Sequence, residues 1–149
     1  MRRLPFADAR LTAFARAWIG RPFEWGRCDC VLLAANAVDA LAGTRFGQLY
    51  TGLWSDEKSA RRYQREAGDA SLGLRIAGLE EPFAPDLIFE ERIGGLRRGD
   101  LILARFGGFF CAHVAFGALC LSTDPKRPVG WLATAEVLAW PRAIVLRVP

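Results

Sequence analysis

The sequence is poor in the groups from which many active sites are built. Its 149 residues include a single histidine, one methionine and two tyrosines. One imidazole, His113, rules out a His-rich metal centre, and neither a metal nor a cofactor is expected. Lysine is confined to Lys58 and Lys126, so the basic charge rests on arginine. No stretch approaches the roughly 18 apolar residues of a spanning helix, so no membrane span is expected. A cleaved leader is not expected either. Arg2-Arg3 resembles the basic start of a signal peptide, but Asp8 and Arg10 break the apolar stretch that follows. Cysteine does not form a framework: Cys28 and Cys30 are too close to bridge easily, and Cys111 and Cys120 flank an apolar segment. The C-x-C pair with distant single cysteines lacks zinc spacing, and the pattern fits synthesis in a reducing compartment. Phosphate-binding loops, serine elbows, helix-turn-helix signals and aromatic nucleic-acid platforms are missing.

What is present describes one globular domain, residues 1–149. Hydrophobic residues make up 52% and charged residues 24%, which suits a soluble chain with a real core. The net charge of +4 is carried on an arginine-dominated surface. Such a surface attracts carboxylates and phosphates, including those of cell-wall polymers, without implying specific nucleic-acid binding.

Leu11, Phe14, Ala15 and Trp18 recur at helical spacing, which predicts a helix over 7–19 stopped by Gly20 and Pro22. A second helix is expected over 29–42, ended by Gly43 and apolar on most sides, hence central. Residues 44–54 read as a loop with aromatic anchors. Ser55 reads as the cap of a third helix stopping near Gly68, and a short helix is expected around 70–79. After Gly94-Gly95 the pattern turns to strands: 101–104, 113–116, 119–122, then 129–133 and 143–148. Gly117-Ala118 suits a two-residue type II′ hairpin connection. Helices followed by an antiparallel sheet give an α+β class.

Cys30 stands out against this background. It follows Trp25-Gly26-Arg27-Cys28-Asp29 and opens the second helix, where unpaired N–H groups and the helix dipole favour a thiolate. His113 is the only ordinary base available near neutral pH. If the sheet packs on helix 29–42, thiol and imidazole form a nucleophile–base pair. A two-residue turn at 117–118 sets Ser122 opposite His113 as the candidate orienting group, with Thr123 or Asp124 in its place if the register shifts. Asp29 has two readings, a helix N-cap or a contact for the amino group of a peptide substrate; spacing favours the cap. Cys111 and Cys120 read as core residues.

Pro22-Phe23-Glu24-Trp25-Gly26, Asp29-Cys30, Arg98-Gly99-Asp100-Leu101 and His113-Val114-Ala115-Phe116 resemble, in order, the landmarks of NlpC-like papain-fold cysteine peptidases. The resemblance spans roughly residues 7–145 and is closest to a compact branch associated with phage, prophage and gene-transfer-agent tails. It implies a papain-like fold with N-terminal helices packed on a C-terminal antiparallel sheet. It implies a peptidase that cleaves amide bonds in peptidoglycan stem peptides, with Cys30 as nucleophile, His113 as base and Asp29 on the substrate's amino group. It also implies synthesis in a bacterial cytoplasm without a signal peptide, incorporation into a virion or phage-like tail, and action in the periplasm or cell wall. Phe23 stands where many members carry a tyrosine whose hydroxyl supports the oxyanion, and Val31 where a serine is frequent. These two positions, with no clear equivalent of the family's third polar residue, carry the alternative of a catalytically weak or inactive tail-tip protein that binds a tail hub.

Overall fold

A computed structural model describes residues 1–67, 78–82, 89–106, 109–140 and 143–149. Its helices are α1 (Ala7–Trp18), α2 (Cys30–Ala42), α3 (Phe46–Tyr50), α4 (Glu57–Ala67), α5 (Phe89–Gly95) and α6 (Thr134–Leu138). The strands are β1 (Leu101–Phe106), β2 (Phe109–Ala115), β3 (Leu119–Asp124), β4 (Arg127–Ala133) and β5 (Ile144–Leu146). They form one five-stranded antiparallel sheet in the order β4-β3-β2-β1-β5. The α+β class follows directly. Among the described residues no helix is long and apolar enough to cross a membrane.

Helix α1 buries Leu11, Phe14, Ala15 and Trp18 along one stripe. Helix α2 buries Leu32, Leu33, Ala34, Ala35, Ala37, Val38 and Leu41, which take up most of its circumference. It ends at Gly43, whose φ of 70° is the left-handed cap conformation. Each buried leucine contributes about 1.5–3 kcal/mol relative to exposure, so α2 cannot leave the core. It lies against β2 and, with α1, covers the face of the sheet that carries Leu101, Leu103, Ala112, Val114 and Leu121. The other face carries Ile102, Ala104, Ala115, Cys120 and Val145, and Val137 and Leu138 of α6 cover it, with Ile93 of α5 packed alongside. The central part of the sheet is therefore buried on both sides, while β4 stays largely exposed.

Three expectations change. Residues 44–54 contain α3, because the Asp39 carboxylate accepts from the N–H groups of Phe46 and Gly47 at 2.8 Å each and holds the chain in a turn. Asp56 rather than Ser55 caps α4, accepting from Ser59 N–H at 2.7 Å. Helices α5 and α6, unmarked by strong sequence signals, fill the far face of the sheet. The helix expected over 70–79 falls almost wholly outside the described residues. The β2–β3 connection is as expected: Gly117 has φ of 92°, and Phe116 N–H donates to the Leu119 carbonyl at 2.8 Å.

Candidate active site

The approach to Cys30 is a tight loop. Cys28 N–H donates to the Glu24 carbonyl at 2.7 Å, and Glu24 N–H returns a bond to the Cys28 carbonyl at 3.1 Å. Gly26 has φ of 72°, and a Cβ there would collide with the Trp54 carbonyl. Only glycine lets the loop pass so close.

Asp29 is buried, and its carboxylate is fully engaged. One oxygen accepts from Val31 and Leu32 N–H at 3.0 Å each; the other accepts from Gly26 N–H and the Trp54 indole N–H at 2.7 Å each. Four donors match the acceptor capacity of a carboxylate. The capping reading is therefore what the structure displays, extended to a clamp that also fixes the loop and Trp54.

Cys30 occupies the first position of α2 and is half-buried. Its partner is a second thiol, Cys111 of β2, in a sulfur–sulfur hydrogen bond, and the Ala112 N–H also donates to its sulfur. The bond to Cys111, followed by burial, pushes the Cys30 thiol well above its ordinary range. The same bond moves Cys111 in the opposite direction, below its ordinary range. The helix start does not favour a thiolate, because the Cys111 contact and burial dominate, with the adjoining Asp29 carboxylate adding a smaller push in the same direction. Cys30 and Cys111 open onto a cavity of about 410 Å³ walled by Phe23, Trp25 and Trp54, with Glu57, Gln64 and Lys126 among its polar groups.

His113 points to the face of the sheet that carries Ile102, as does Cys111 two residues before it. Partners across an antiparallel ladder share a face, and His113 pairs with Ile102, which belongs to the core away from α2. The imidazole is 2% exposed, stands edge-on to Trp140 at 5.3 Å, and has no hydrogen-bond partner at either ring nitrogen. Burial lowers its pKa to about 4. Ser122 lines the same cavity of about 280 Å³ but does not hold the ring. The ladder between β2 and β3 comprises Val114↔Leu121 and Ala115↔Cys120; the next pair in that register would be His113 and Ser122. It is not made, and β3 itself shifts register against β4 between Ser122 and Asp124. Cys30 and His113 are thus not hydrogen-bonded, and neither are His113 and Ser122.

The sequence places Cys111, Trp54 and Trp140 in the core or an interface and gives none of them a part in the site. Cys111 shares strand parity with His113, and that proximity was the one available signal; Trp54 and Trp140 carried none. Cys111, Thr123 and Pro125 border both cavities. Among the described residues no group of three or more His, Cys, Asp or Glu side chains is placed to hold a metal.

The family model described as Domain of unknown function (DUF6950) matches residues 2–142, and the chain belongs to that family. No curated protein and no solved structure matches it.

Proposed function

We propose that this DUF6950 chain is a papain-like domain of a phage-like tail whose Cys30 cavity engages the stem peptides of bacterial peptidoglycan. The ordered sequence landmarks support the papain-like and tail readings. The cavity supports a peptide ligand: aromatic walls receive aliphatic side chains, and Glu57 and Lys126 offer both signs of charge to a zwitterionic chain. On this reading the domain is made in the cytoplasm, joins the tail through tip or hub proteins, and meets its ligand in the periplasm or cell wall.

Engagement takes two forms, hydrolysis and binding without turnover. The observation that favours one over the other is the partner of Cys30. A thiol hydrolase needs a base that removes the thiol proton and returns it to the leaving amine. Here Cys111 stands at the sulfur, and the one imidazole has no hydrogen-bond partner at either ring nitrogen. The geometry supports binding without turnover better. Hydrolysis keeps one specific observation in its favour: Cys30 opens a helix beside a cavity and accepts an N–H from Ala112, as a nucleophile does.

Purified sacculi separate the two. Expected is co-sedimentation of the parent and of Cys30→Ala with sacculi, with no soluble peptide fragments from either. Fragment release by the parent that Cys30→Ala abolishes would replace binding with hydrolysis. Absence of both release and co-sedimentation would remove the peptidoglycan reading altogether.

A further inference from the structure

We infer that the cavity around His113, which adjoins the Cys30 cavity along Cys111, Thr123 and Pro125, is a second ligand site that takes a neutral sugar ring. Its boundary contains polar side chains that nothing in the protein satisfies. Both nitrogens of His113 and the hydroxyl of Thr123 are buried without a hydrogen-bond partner, and these residues are 2% and 7% exposed. Buried polar groups are nearly always paired, so an unpaired set at a cavity wall marks a place that a ligand completes.

The chemistry of the walls selects the ligand. His113 is held neutral by burial, so its ring presents one donor and one acceptor. A hydroxyl group meets both needs; a hydrocarbon meets neither, and a cation offers nothing to the imidazole N–H. Anions face the carboxylates of Asp124 and Glu136, of which Asp124 already has Arg127 at 3.9 Å. Those carboxylates accept from hydroxyls instead. Trp131 is 40% exposed and lines the cavity, with Phe116 edge-on to it at 5.2 Å, and Trp140 lines it beside the imidazole. Indole faces bury the C–H side of a pyranose while its hydroxyls turn to polar groups, the usual division of labour in a small-molecule pocket. The volume of about 280 Å³ suits a single ring.

The lone histidine makes the test direct, since every imidazole NMR signal belongs to His113. The full chain is titrated with chitotriose and, separately, with cellotriose. Expected is saturable movement of the His113 imidazole and Trp131 indole signals with at least one of them. Trp131→Ala and His113→Phe should each weaken binding about tenfold or more. Trp131 is exposed, so that variant decides the matter if His113→Phe does not fold. An imidazole indifferent to both sugars, or binding undiminished in Trp131→Ala, overturns the proposal and leaves the Cys30 reading where it stood.

Discussion

His113 has been given two environments, an active site by its motif and an aromatic wall by the fold. Its titration tells them apart. The ordinary pKa is 6.5 and burial lowers it to about 4 in the folded protein. The folded state therefore favours the neutral ring, and the unfolded chain binds the proton first. The stabilisation is fully present above about pH 6.5 and is lost as pH falls toward about 4, amounting to about 3 kcal/mol across that window. Urea unfolding at a series of pH values should show this slope in the parent and lose it in His113→Leu. A parent whose stability is flat between pH 7 and 4, after correction for the carboxylates by that variant, would mean that the ring is not buried as described. The thiols give the same lesson at the other cavity. A cysteine at a helix start is not activated where burial and a neighbouring thiol hold its proton, and here Cys111 and the surrounding core do so.

At the scale of elements, the segment from Gly26 to the first turn of α2 is held by one carboxylate. Asp29→Ala removes an N-cap, a loss of about 1–2 kcal/mol, and leaves the Gly26 and Trp54 N–H groups without their acceptor. Buried donors without partners cost about 1–3 kcal/mol each, so a total loss of about 3 kcal/mol or more is expected in urea unfolding. A loss below about 0.5 kcal/mol, the range of an ordinary surface change, would contradict the clamp. This segment was legible from residue types: a glycine turn, an Asx cap and an apolar run announce a helix start. The hairpin was legible too, since Gly117-Ala118 fixes which residues face each other. The side of the sheet on which His113 lies was not. A sheet covered on both faces has no apolar–polar alternation, and the run Cys111-Ala112-His113-Val114-Ala115 looks alike from either side. Helix α3 escaped notice because its carboxylate, Asp39, lies seven and eight residues before the N–H groups it binds.

At the scale of the whole molecule, one buried carboxylate joins distant parts of the chain. Asp100 is fully buried and receives two bonds from Arg147, at 2.8 and 2.6 Å, and one from the Arg97 N–H at 2.8 Å. Arg147 follows β5 and also donates to the Gly95 carbonyl at 2.9 Å; Arg3 reaches the same carboxylate at 3.8 Å. Removing one partner of such a pair strands the other, at a cost of about 3–5 kcal/mol. Asp100→Ala should therefore lower thermal stability far more than Glu57→Ala, which breaks an exposed ion pair on α4. Equal effects of the two, read by calorimetry, would show that Asp100 is not a junction. The landmark Arg98-Gly99-Asp100 thus has an architectural reason to exist that is independent of any reaction.

The Ala112 N–H that donates to the Cys30 sulfur has a practical consequence. A backbone proton bonded to sulfur senses the electron density there. It should move downfield when the thiol ionises and upfield when the sulfur is alkylated or oxidised. The strand thus carries its own probe of the state of the thiol, readable in the resting protein at any pH, with or without a substrate to turn over.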